Sequence, residues 1–334
     1  MLTEETTSRI LPPRHPSLLG IRLHSHFTRG ETMTITKTGD AAFVAFEPRK
    51  DQIMGLSFQD NVEFVHGCTL SMKIKNVLYQ GTSEFQTIAV FQTERLGKVL
   101  VLDGTTMLTE FDEFSYHEMI THVPLLVHPK PSRVLIIGGG DGGVVREALK
   151  HPEVKSVHLC EIDKGVVDAC RQYLPSLASS LDDPKVEIFY EDGAKFITTH
   201  PKSYEVIIVD STDPVGPGQI LFQREFYASM KEALTAEGIV VTQCESLFLH
   251  RNVIEGVYHF ARKLFQTARY YYTLVPTYPS GMIGFFVGSL KRDPIEEFDE
   301  ERASRLKGLR YYSTEIHRAA FALPRFAVEY FRRK

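Results

Sequence analysis

Two carboxylates three positions apart, Asp210 and Asp213, follow the β-branched run Val206–Val209 and enter a loop shaped by Pro214, Gly216, Pro217 and Gly218. Like charges crowded at a strand end are costly unless a cation binds beside them. Three more acids hold matching positions. Asp141 sits inside the glycine-rich turn Gly138–Gly143, Glu161 ends the next apolar run, and Asp192 follows the one after that. Gly138, Gly140 and Gly143 match G-x-G-x-x-G, a nucleotide-binding turn whose bare backbone lets a ligand approach closely. Glu161, about 20 residues farther on, suits ribose hydroxyls. Asp163, just ahead of a helix, reads as an N-cap instead. Asp192 suits an adenine amino group or a helix cap equally; beside the other two motifs it points to adenosine. Asp141 in the turn is hostile to a phosphate and to the carboxylate of S-adenosylmethionine. It would welcome an amine with no carboxylate beside it, which decarboxylated S-adenosylmethionine offers. Five acids on one rim, with no basic cluster among these motifs, predict small cationic ligands.

These residues need a scaffold that gathers them. From Pro131 onward strand-like and helical runs alternate: strands at Arg133–Ile137, Ser156–Ile162, Val186–Tyr190, Glu205–Val209 and Gly238–Gln243, with helices between them. Ala268–Val275 and Met282–Gly288 read as further strands. Such alternation predicts an α/β fold with a parallel, doubly wound sheet, whose ligands sit beyond the carboxyl ends of the strands. Ahead of it, Leu70–Leu78, Gln86–Gln92 and Lys98–Asp103 predict a small antiparallel sheet with a hairpin at Asp103-Gly104. Ser115–Leu126 has helical spacing and stops before His128-Pro129. The expected domains are 1–48, a mobile extension with a short strand at Ala41–Phe46; 49–130, the β-domain; and 131–330, the catalytic domain. Met33 and Met54 stand as alternative starting points.

Composition sets further bounds. A chain of 334 residues with net charge −4 has no basic excess to bind nucleic acid. No apolar run approaches the roughly 20 residues a membrane helix needs, and no signal pattern opens the chain. Cys68, Cys160, Cys170 and Cys244 form no C-x-x-C pair, as expected of reduced thiols in a cytoplasmic protein.

With those residues in view, the sequence closely resembles the spermidine synthase family of polyamine aminopropyltransferases. The resemblance runs from about Leu70 to about Phe326. It includes Tyr79-Gln80-Gly81, Asp112-Glu113-Phe114-Ser-Tyr116-His117, Gly138–Gly143, Asp210–Pro217, Pro276–Gly281 and Tyr311–Pro324. It implies a small N-terminal β-domain on a Rossmann-like, methyltransferase-type core, assembled as a homodimer or homotetramer. It implies that Gln86, Glu161, Asp192, Gly193 and Pro217, with Gly138 and Gly140 of the glycine turn, bind the adenosine and thioether parts of the donor. Tyr116, His117, Asp141, Asp213 and Tyr278 would line the amine channel, and Asp210 would accept the proton. Two departures leave the acceptor open. The chain has no tryptophan, and Leu56 and Phe248 stand where some relatives carry one near the amine. The resemblance does not reach the first 48 residues.

The expected reaction is attack of a primary amine on the carbon next to a sulfonium, which needs no metal, cofactor or covalent intermediate. Putrescine is the expected acceptor, giving spermidine and 5'-methylthioadenosine, with agmatine, cadaverine or spermidine as alternatives. The loop Pro214–Gly218 is expected to close over the site. His117 reads almost as well as a packed polar residue as it does a substrate contact. An S-adenosylmethionine-dependent amine N-methyltransferase shares this fold, but its donor's carboxylate would meet Asp141. A nicotinamide dehydrogenase would use the glycine turn and Glu161 and leave Asp210 and Asp213 unexplained.

Overall fold

The structure is a computed structural model that describes residues 33–38, 41–46, 56–60, 69–214 and 216–332; for 33–38, 41–46, 216 and 217 it describes the backbone only. The chain divides into two compact units, Met1–Met54 and Gly55–Lys334. In the first, β1 (Met33–Thr38) pairs antiparallel with β2 (Ala41–Phe46). The strand expected at Ala41–Phe46 is there; its partner was not foreseen, because its Thr-rich alternation carries too few apolar residues to read as a strand. The rest of the expected mobile extension lies outside the described residues, as does Cys68.

The second unit contains two sheets. Strands β3 (Leu56–Gln59), β4 (Ser71–Thr82), β5 (Thr87–Thr93), β6 (Lys98–Leu102) and β7 (Thr105–Thr109) form an antiparallel meander in chain order. Alternation along β5 and β6 divides their side chains between two cores. Ala89, Val99 and Val101 pack with Met72 on one face; Ile88, Val90, Leu100 and Leu102 join the main core on the other. The β6–β7 turn has Asp103 at φ 47° and Gly104 at φ 79°. Two successive positive φ angles are what a two-residue hairpin of matching twist requires, and Asp-Gly supplies them.

Helix α1 (Glu113–Val127) follows, buried along almost its whole length. The buried Glu118 anchors it by accepting the backbone N–H groups of Arg310, Tyr311 and Tyr312 at 2.8, 2.9 and 2.7 Å. Then comes the alternating core: β8 (Arg133–Gly138), α2 (Gly143–Leu149), β9 (Ser156–Cys160), α3 (Lys164–Tyr173), α4 (Pro175–Ala178), β10 (Val186–Phe189), α5 (Gly193–Phe196), β11 (Tyr204–Asp210), α6 (Arg224–Ala233), β12 (Leu234–Gln243), α7 (Arg251–Ala261), β13 (Thr267–Leu274) and β14 (Met282–Ser289). The strand order is β10-β9-β8-β11-β12-β14-β13. The five strands from β8 to β12 are parallel, as expected of βαβ units. The alternation predicted a parallel, doubly wound sheet, and β8 to β12 form one; beyond them β14 pairs antiparallel with both β12 and β13, so the full sheet is mixed. No helix intervenes between β13 and β14, only the turn Pro279–Gly281, and a short turn can join only antiparallel neighbours. The Tyr270-Tyr271 pair is strand packing, both rings being buried. Among the described residues no helix is long and apolar enough to cross a membrane.

Candidate active site

Because β9 lies on one side of β8 and β11 on the other, the sheet reverses its order at β8–β11, and a crevice opens beyond their carboxyl ends. A cavity of about 720 Å³ occupies it, a volume suited to a small-molecule ligand. Leu100, Leu102 and Met107 of the meander form one wall, α1 a second, and the ends of β8, β9, β11 and β12 the floor. Asp141, Glu161, Asp192, Asp210 and Asp213 all line it, and no lysine or arginine does among the described residues.

One end is built from the glycine turn. Gly138 has φ 77°, and a Cβ there would lie 2.1 Å from the Asp210 carbonyl oxygen, so only glycine fits. Gly139 N–H donates to that same carbonyl at 2.9 Å, tying the turn to the end of β11. A Cβ on Gly140 would press against the Glu161 carboxylate. Glu161 is buried and accepts the Asp163 N–H at 2.8 Å. Burial, reinforced by Asp163 and Asp210, pushes its carboxyl up to about 7, although two backbone N–H groups pull the other way. Asp163 caps α3 through Gly165 N–H at 2.9 Å, the role expected of it, and its other oxygen accepts from Gln86 Nε2 at 2.9 Å and Ser83 Oγ at 2.6 Å. Gln86 is thereby fixed on the cavity wall. Asp192 caps α5 by accepting Ala194 N–H at 2.9 Å and faces the cavity as well. Gly193 packs so close to Ile137 that a Cβ would lie 2.4 Å from its Cγ2. Pro217 lies in the 3-10 turn Gly216–Phe222, with its side chain outside the described residues, and the loop expected to close is described only in part.

The other end gathers the aromatic and acidic groups. Tyr116 Oη donates to Asp210 Oδ1 at 2.6 Å, while Asp210 Oδ2 is buried with no hydrogen-bond partner. Burial and the Asp141 carboxylate push Asp210 up to about 6, against the opposing pull of His117 and Tyr116. Asp213 is pushed up to about 7 by burial, Glu245 and Asp60. Asp141 Oδ1 accepts Gly143 N–H at 2.7 Å and lies 3.4 Å from His117 Nε2. His117 is buried between Asp141 and Glu113, so the packed and the pocket-lining readings both hold of it. Tyr278 lines the cavity with its ring but donates its hydroxyl to Met107 O. Leu56 and Phe248 are exposed and absent from the described lining.

Sequence reasoning missed three residues of this end. Gln243 and Glu245 lie at and just beyond the end of β12, where the strand-end rule would have found them. Each has a buried oxygen without a hydrogen-bond partner, Gln243 Oε1 and Glu245 Oε1. Glu245 also has φ 64°, an uncommon conformation for a residue with a side chain. Glu113 stands one turn ahead of His117, an i,i+4 spacing visible in the sequence.

Comparison with known proteins settles the class. Residues 113–299 match the family model described as the spermine/spermidine synthase domain, and residues 58–110 match the spermidine synthase tetramerisation domain. The chain is 48% identical over 281 residues to the polyamine aminopropyltransferase of Leptospira biflexa, covering 84% of this chain and 100% of that one. The chain belongs to the spermine/spermidine synthase family. It is 47% identical over 282 residues to the spermidine synthase of Dictyostelium discoideum, covering 84% of this chain and 98% of the relative. A crystal structure of a spermidine synthase in complex with the transition state analogue AdoDATO superposes with a TM-score of 0.81 at 41% identity, over 85% of this chain and 96% of the other. The protein is thus an enzyme of the aminopropyltransferase class.

Proposed function

We propose that the enzyme transfers the aminopropyl group of decarboxylated S-adenosylmethionine to putrescine, giving spermidine and 5'-methylthioadenosine. The observation that carries this reading is the set of buried oxygens in one cavity without donors: Asp210 Oδ2, Gln243 Oε1 and Glu245 Oε1. A buried acceptor left unpaired costs about 1–3 kcal/mol, so this end of the cavity asks for a ligand with N–H groups at more than one point. At the far end Asp213, Gln243 and Glu245 come from separate positions, matching the three donors of an ammonium better than the planar fork of a guanidinium. Putrescine is favoured over agmatine on that ground.

The donor would place its adenosine against the glycine turn, with Glu161 and Asp192 as acceptors. Asp141 already occupies the Gly143 N–H, the kind of turn amide a phosphate or carboxylate would need. This weighs against a dinucleotide and against intact S-adenosylmethionine, and so against an N-methyltransferase.

Chemistry then follows from position. The amine lone pair forms the new C–N bond as the C–S bond breaks, and the sulfonium leaves as a neutral thioether. Asp210, held by Tyr116, takes the proton shed by the nitrogen. Bringing an alkylamine to its neutral form at about pH 7 costs ~4.6 kcal/mol, and orienting the two reactants can offset several kcal/mol of the barrier. Assembly as a homo-oligomer, dimer or tetramer, through the meander sheet, and residence in the cytoplasm complete the proposal; Cys160, Cys170 and Cys244 are buried and free, as a reducing compartment allows. The test is turnover with the decarboxylated donor and a panel of putrescine, cadaverine, agmatine and spermidine, products identified by mass. Putrescine should have the highest kcat/KM; a preference for agmatine or spermidine would overturn the assignment.

A further inference from the structure

His117 is a buried ring with a carboxylate at each nitrogen. From its own helix, Glu113 Oε2 meets Nδ1 at 2.6 Å. From the glycine turn, Asp141 Oδ1 faces Nε2 at 3.4 Å. Asp210 arrives from the end of β11, and the facing atoms of His117, Asp141 and Asp210 all lie within 4.8 Å of one another. From α2, Arg146 clamps Glu113 with two hydrogen bonds, at 3.0 and 2.8 Å. Tyr116 approaches the ring edge-on, its centroid 5.4 Å away. Gly143 makes the seat: a Cβ there would lie 2.3 Å from the imidazole. A neutral imidazole has one N–H and would turn a lone pair toward one of the two carboxylates, whereas an imidazolium presents an N–H and positive charge to each.

We propose that Glu113 is a positioning residue: clamped by Arg146, it holds His117 as an imidazolium at the reacting end of the amine channel, so that the attacking nitrogen of the acceptor binds there as the uncharged amine. The proposal rests on the reading of Asp210 as the reacting end. It resolves a difficulty in that reading. A carboxylate alone favours the ammonium form of its guest, which has no lone pair to attack with. The imidazolium offsets Asp141 and adds to the repulsion from the donor sulfonium, so the charged form is disfavoured there. The other end, with Asp213 and Glu245, keeps its ammonium. The ring's ionisation agrees with the geometry: burial works against the charge, but Asp141, Glu113 and Asp210 outweigh it and push His117 up to about 9.

The charge is read directly by NMR of the full-length enzyme with 15N-labelled histidine. In the wild type, His117 should show two protonated nitrogens at neutral pH and titrate above about pH 8. A neutral tautomer at neutral pH would overturn the inference without recourse to any variant. Glu113→Gln keeps the shape and removes the anion. The His117 titration should fall by about one unit or more, and the pH at which kcat/KM for putrescine stops rising should fall with it. The amine's own ionisation is the same for both enzymes, so that displacement belongs to the protein. Glu113→Asp, which restores the charge, should return both toward wild type, and binding of methylthioadenosine should be unchanged throughout. A uniform loss of activity with no displacement of the pH break would assign Glu113 a merely structural role and overturn the proposal. Should Glu113→Gln fail to bind methylthioadenosine, the wild-type and Glu113→Asp titrations decide it. Near-normal turnover of Asp210→Asn would instead sink the reading of the site, while the wild-type His117 titration would still report the charge of the ring.

Discussion

Replacing Asp210 by Asn should make the ligand-free enzyme more stable while nearly abolishing its turnover. The carboxyl is raised from 3.8 to about 6 by burial and by Asp141. The sign follows from proton linkage. Between those two values the folded state keeps a proton that the unfolded chain has lost, so stability falls as pH rises through the interval and the full cost persists above it. About two pKa units correspond to roughly 3 kcal/mol, an upper bound because the group interacts with its neighbours. For a chain of this size that is a gain of ~4 °C in melting temperature at about pH 8, shrinking below about pH 6 and gone by about pH 4. Asn keeps an oxygen for Tyr116 Oη, so packing is preserved. Turnover should fall ~100- to 10,000-fold, the usual contribution of a proton acceptor. The assay is differential scanning calorimetry of wild type and variant across this pH range, beside steady-state kinetics. A variant no more stable than wild type at the alkaline end, or one that retains its turnover, would refute the reasoning.

Asp210 and Asp213, raised to about 6 and about 7, must both be ionised to serve an amine, so activity should climb as pH rises through that interval; a flat pH–rate profile there would remove them from their roles. Gly143→Ala should drive its Cβ into the His117 ring, 2.3 Å away, and weaken kcat/KM for the amine by about tenfold or more, since a displacement of ~1 Å at a reacting centre costs that much or worse. Methylthioadenosine binding, measured by calorimetry, should survive that change, because the part of the turn that lines the cavity, Gly138–Gly140, and the acceptors Glu161 and Asp192 are left in place.

Much of this was readable from residue order. Asp103-Gly104 specified its hairpin because few pairs tolerate two positive φ angles in succession. The β-branched runs and the glycine turn placed five acids at one sheet edge, and the cavity gathers all five. What escaped depended on long-range pairing or on single atoms. Neither β13 nor β14 carries a local sign that β14 inserts beside β12 and reverses the sheet; the joining turn carried that information. Asp192 was ambiguous between cap and ligand because the two are compatible: one oxygen takes Ala194 N–H while the residue still faces the cavity. Glu113 was hidden because its importance lies in Arg146 and His117 meeting it from two helices. Gln243 and Glu245 stood at a strand end that the sequence marked, but that each has a buried oxygen without a partner is a property of packing alone.

The central claim is that an acid-lined rim admits a donor stripped of its carboxylate and a cationic acceptor. Purified enzyme given putrescine with decarboxylated S-adenosylmethionine in one vessel and S-adenosylmethionine in another, the products weighed by mass spectrometry, tests it most directly. Putrescine should gain one aminopropyl unit in the first and remain unchanged in the second; a methylated amine from intact S-adenosylmethionine would contradict it.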